Sequence, residues 1–112
     1  MLIFPSTQSE IPPNGTYTYE VVFAEWGGKS LGDEIFVILE DGHISLLISE
    51  NSNVLWVGAE PGDVWEEGTL RKHQSGVWII SHDESDVLLE EIGGCTGGPI
   101  IIDFEKRTIE LC

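Results

Sequence analysis

Residues 16–24 alternate hydroxyl-bearing and aromatic positions before a β-branched run, so an extended chain places Tyr17 and Tyr19 on one face. That composition favours a strand, which Gly27-Gly28 ends. Residues 34–40 and 43–49 are two further apolar-rich strands, and the Asp41-Gly42 pair between them is the strongest hairpin signal in the chain. A polar turn at 50–53 leads to a predicted strand at 54–58, closed by Pro61-Gly62. From 63 to 74 the pattern weakens to Val64-Trp65 and a short strand at 69–72, with Glu66-Glu67-Gly68 as the bend between them. Residues 76–81 form a buried strand, and 86–92 fit a strand or one to two helical turns, of which the strand is taken. The last pair, 99–104 and 108–111, flanks Glu105-Lys106-Arg107 as a hairpin with a three-residue loop.

Seven to nine short strands with turn signals roughly every ten residues predict an all-β fold, an antiparallel β-sandwich or small barrel with room for one short helix. The length fits a single domain spanning 1–112. Residues 1–15 carry Pro5, Pro12, Pro13 and Asn14-Gly15 and are expected as an extended lead-in. Trp56 and Trp78 lie mid-strand and are expected in the core.

Charge changes the picture most. Twenty Asp and Glu face five Lys and Arg, a formal net charge of -15 in 112 residues. The apolar share of 41% still marks a folding chain and not a disordered acidic tail. A field of this sign repels nucleic acid and anionic membranes and steers basic partners inward. Direct nucleic-acid binding is therefore not expected, whereas imitation of nucleic acid toward a basic groove is. No basic leader or long apolar segment is apparent, the longest apolar run being six residues, so a cytoplasmic location is expected. In that compartment Cys95 and Cys112 are expected as free thiols; pairing across the final hairpin would suit a secreted protein.

Residues 94–99, Gly-Cys-Thr-Gly-Gly-Pro, are similar over six positions to the Gly-x-Ser-Gly-Gly-Pro nucleophile loop of chymotrypsin-like proteases. The resemblance puts Thr96 at the nucleophile position and leaves His43 or His73 as base by chain order. It departs in having Thr for Ser, no distinguished acid partner, and too few residues for that family's two barrels. A glycine-rich connection before a strand is the weightier reading, and no enzymatic activity is expected. His82 with Asp83, Glu84 and Asp86 resembles an oxygen-rich cation loop without EF-hand order, and reads better as a solvated acidic turn. His82, Cys95 and Cys112 lack the paired spacing of a structural zinc site, so no metal or other cofactor is expected.

The acids fall into two groups, Glu60, Asp63, Glu66 and Glu67, then Asp83, Glu84, Asp86, Glu90 and Glu91. A hairpin between them would merge the groups into one negative face. Trp65 inside the first group and Trp26 beside Glu25 are candidate aromatic anchors, each equally well placed to cap the core. The expected partner-binding residues are therefore Glu60, Asp63, Trp65, Glu66, Glu67, Asp83, Glu84, Asp86 and Trp26. The function expected is inhibition or neutralisation of a basic partner, such as a toxin or a nucleic-acid-handling enzyme. In type, though through no motif, this is similar to immunity proteins and phage-borne inhibitors. The alternative is a small-ligand- or metal-binding barrel with a tryptophan-lined pocket.

Overall fold

A computed structural model describes residues 11–52 and 60–112. Seven strands make one sheet: β1 (Gly15–Phe23), β2 (Lys29–Glu40), β3 (His43–Ile48), β4 (Val64–Lys72), β5 (Trp78–Ser81), β6 (Ile100–Asp103) and β7 (Thr108–Leu111). Each pairs antiparallel with the next, and β7 pairs parallel with β1, closing a barrel. An odd number of strands that alternate in direction leaves the first and last pointing the same way, so the seam has to be parallel.

Strand alternation fills the barrel. Tyr19, Val21 and Phe23 of β1, Ile35, Val37 and Leu39 of β2, and Ile44 and Leu46 of β3 point inward and meet Leu70, Ile80, Ile102 and Ile109. A barrel of about this strand number is just wide enough for side chains to occupy its interior. Tyr19 stacks edge-on against Tyr17 and Phe104, each ring 6.3 Å away, and burial pushes its phenol upward in pKa. The inward exception is Asp33, 3% exposed, whose Oδ2 has no hydrogen-bond partner among the described residues.

The β2–β3 hairpin turns through Asp41 and Gly42 at φ 50° and 85°, the left-handed pair that such two-residue loops require. The Asn14 amide and carbonyl clasp Asp41 through two 3.0 Å hydrogen bonds, which fixes the lead-in against that turn. Trp78 packs half-buried against the core, 6.3 Å from the Phe104 ring. Trp56 and the strand expected at 54–58 lie outside the described residues.

Four expectations need correction. Residues 66–68 form no bend but continue β4, because Gly68 sits where a Cβ would lie 2.7 Å from the Ser81 carbonyl oxygen, so glycine serves close strand packing. Residues 86–92 are not a strand. Asp83 caps a 3-10 helix at Glu84–Leu88, accepting from the Ser85 amide while Asp86 returns to the Asp83 amide, a reciprocal capping box. The final loop has four residues, 104–107, since Phe104 turns back into the core and Asp103 Oδ1 accepts from the amides of Glu105 and Lys106.

Finally, Cys95 and Cys112 are bonded, with Cα atoms 4.6 Å apart. The β6–β7 hairpin returns residue 112 to the level of the loop that enters β6, which brings the two sulfurs within reach. The bond closes a loop of 17 residues, for which chain entropy predicts about 3 kcal/mol. Cys95→Ser should therefore lower unfolding stability by about 2–3 kcal/mol in denaturant titration. Thiol labelling of the unreduced native protein should find no free sulfhydryl.

Candidate functional site

The β4–β5 hairpin pairs Thr69 with Ser81, so the residues just before Thr69 run beside those just after Ser81. This places Glu66 and Glu67 of the first acidic group against the start of the second. His82 is the joint: its Nε2 lies 3.0 Å from the Glu67 carbonyl oxygen and 3.3 Å from Glu66 Oε1. The ring lies over Gly68, where a Cβ would stand at van der Waals distance, 3.4 Å, from His82 Cδ2. On the other side of β4, His43 of β3 brings its Nε2 to 3.1 Å from Glu67 Oε1. Two imidazoles thus sit among these acids, which sequence spacing did not reveal.

The 82–99 connection leaves β5 and folds over the outside of the barrel, where its 3-10 helix contacts β4 and β5. Ile79 shows the effect: it points opposite to the core residue Ile80, yet is fully buried. Buried Ser81 is the polar hinge of this contact. Its hydroxyl accepts from Arg71 Nη1 at 2.9 Å and lies 2.7 Å from the Asp83 carbonyl and 3.1 Å from Asp86 Oδ2. Asp86 Oδ2 also accepts from the amides of His82 and Asp83. The His82 amide leads in holding the Asp86 carboxyl below the usual carboxylate range, and hydrogen bonds from Ser85 do the same for Asp83.

A second tether acts through His73, which is 5% exposed. Its Nδ1 accepts from the Ser75 amide at 3.1 Å, which assigns the ring proton to Nε2; that nitrogen donates to the Leu89 carbonyl at 2.7 Å. The Gln74 amide donates to the Val87 carbonyl at 2.9 Å. Residues 87–89 are thus held against the β4–β5 turn while Leu88 and Leu89 stay 66% and 39% exposed.

Of the sequence-derived site residues, Glu66 and Glu67 meet His82, Asp86 lines the same hollow as Glu66, and Asp83 and Glu84 lie in the turn between. Glu60 and Asp63 lie exposed at the turn before β4, where Asp63 Oδ2 accepts from the Glu60 amide at 3.1 Å. Trp65 is half-buried and packs on the core, so only part of its ring faces outward. Trp26 is 58% exposed in a 3-10 turn (Ala24–Trp26) between β1 and β2, apart from the β4–β5 wall. Strand alternation places the β2–β3, β4–β5 and β6–β7 turns at one end of the barrel, where Lys72, Lys106 and Arg107 gather, while Arg71 lies within the acidic wall and donates to Ser81.

The glycine-rich loop at 93–99 has a structural explanation. Thr96 Oγ1 donates to the Gly93 carbonyl at 2.7 Å and accepts from the Gly98 amide at 3.1 Å, so the hydroxyl at the protease-like position is committed to the loop. His73, one candidate base, is likewise committed to Ser75 and Leu89. With Cys95 and Cys112 joined, neither offers a thiolate to a metal, and no group of three metal-ligating side chains assembles among the described residues. No helix among the described residues is long and apolar enough to cross a membrane. No protein-family model, curated protein or solved structure matches this chain.

Because the folded-state values of Asp83 and Asp86 are depressed, their contribution is complete above the unfolded value near ~4 and is lost as pH falls through the lower folded values. Amide exchange across 82–89, corrected for intrinsic rates, should be constant from about pH 7 to 5 and accelerate only below about pH 4. His73→Phe keeps a ring in the buried site but cannot hold the Leu89 carbonyl. Exchange at 87–89 should rise in this variant while β1–β3 amides keep their protection.

Proposed function

We propose that this chain is a non-enzymatic, cofactor-free binding protein that inhibits or neutralises a basic partner. A toxin is one such partner and an enzyme that handles nucleic acid another. The carrying observation is the -15 charge together with the meeting of Glu66 and Glu67 with the turn that begins at His82 and holds Asp86. In this reading Glu60, Asp63, Glu66, Glu67, Glu84 and the outer oxygens of Asp83 and Asp86 supply the field, which accelerates encounter and sets orientation. Trp26 and the outward part of Trp65 add apolar contact.

The interior packing favours this reading over a ligand-binding barrel. The inward positions, Asp33 excepted, are filled by aliphatic and aromatic side chains; one open hollow reaches Trp78, Ile102 and Phe104 beside the β6–β7 turn, and another lies against Glu66, His82 and Asp86. A filled core leaves the outer wall as the working surface. A cytoplasmic setting goes with reduced thiols, whereas the Cys95–Cys112 bond goes with a periplasm, cell surface or extracellular space, and we take the second.

The test is capture of partners from the native source on the immobilised, unreduced protein at low salt, followed by salt elution. A basic protein should be retained, and its affinity should fall about tenfold or more between roughly 50 and 500 mM salt. Retention of an acidic protein, or binding indifferent to salt, would overturn the proposal.

A further inference from the structure

Leu89 forms a ridge between two open hollows on the 82–99 connection. One, of about 340 Å³, is lined by Glu66, His82, Asp86, Pro99 and Ile100. The other, of about 450 Å³, is lined by Glu90, Glu91 and Thr96, and Leu89, Gly97 and Gly98 border both. Leu88 stands beside the ridge and is the most exposed large apolar side chain of the described residues, at 66%.

Outward leucines are ordinarily left to move, because exposing them gains nothing for the fold. Here their backbone is held by buried His73, by Gln74, and by the Leu89 amide donating to the Asp86 carbonyl at 3.2 Å. An apolar pair kept in a fixed outward pose and rimmed by carboxylates has the build of a binding anchor with a charged border. Trp26 and Leu31 are also exposed, but they adjoin Lys29.

We infer that this ridge docks a partner segment in which an apolar side chain is flanked by two cationic ones. The apolar group packs on Leu88 and Leu89. One Arg or Lys enters the hollow lined by Glu66, and the other reaches Glu90 and Glu91. Charge complementarity selects this occupant: no Lys or Arg lines either hollow, and an acidic or purely apolar segment would meet uncompensated carboxylates. The inference rests on the proposed affinity for basic partners and localises it.

The experiment is an NMR titration of the ¹⁵N-labelled, unreduced chain at low salt with three synthetic peptides of equal length. Their central sequences are Arg-Leu-Arg, Arg-Ala-Arg and Glu-Leu-Glu. The Arg-Leu-Arg peptide should shift amides at 86–91 and 96–98 and bind about tenfold more tightly than Arg-Ala-Arg, while Glu-Leu-Glu leaves the spectrum unchanged. Replacing both leucines (Leu88→Ser with Leu89→Ser) should erase that preference and leave Arg-Ala-Arg binding as it was; both side chains are exposed, so β-strand shifts should persist. Equal affinity for the two cationic peptides, with shifts spread over the acidic surface, would overturn the ridge and spare the broader proposal. If neither cationic peptide binds at low salt, both the ridge and the broader proposal are overturned. Concentration-dependent shifts at 88–89 without peptide would mean that a second copy occupies the ridge, which also refutes the inference.

Discussion

The outer wall depends on one buried hydroxyl. Ser81 ends β5, is 1% exposed, and lies between Arg71 on the neighbouring strand and the Asp83–Asp86 turn that starts the long connection. Burial makes the arrangement stringent, because a polar group removed from water has to be satisfied by the protein. Through it a cation of β4 meets an anionic turn whose carboxylates would otherwise repel. The 3-10 helix of the connection also contacts β4 and β5 directly.

Such an acidic chain can fold because its carboxylates and its core occupy different faces. Inward positions are almost wholly apolar, and the outer acids are moderated locally by amides, imidazoles and one guanidinium. Asp86 illustrates the division of labour: one oxygen serves three donors of its own turn. The acids are thus not equivalent. Some build the surface, whereas Glu84, Glu90 and Glu91 are exposed and free to project charge.

How much was legible follows from range of interaction. Alternation in 16–24, the Asp41-Gly42 pair and the terminal hairpin were readable because each depends on neighbours a few residues away. Gly68 misled because glycine marks both bends and close strand packing, and only the partner strand tells them apart. The 3-10 helix carried a legible sign, Asp83 followed three residues later by Asp86, which apolar periodicity in 86–92 obscured. The merging of the acidic groups was foreseeable from a hairpin, but the histidine joints, the Ser81 hinge and the exposed leucines were not. Those rest on contacts between residues distant in sequence. The disulfide belongs with them, since compartment alone argued for reduced thiols and the returning β7 strand decided otherwise.

The parallel seam has a consequence for biosynthesis. β1 leaves the ribosome well before the partner for its second edge, Thr108–Leu111. Until β7 is made, the nascent chain carries an unpaired edge open to pairing with other chains. Glu20, exposed on that edge at the position that later faces Thr108, gives it like-charge protection while it waits.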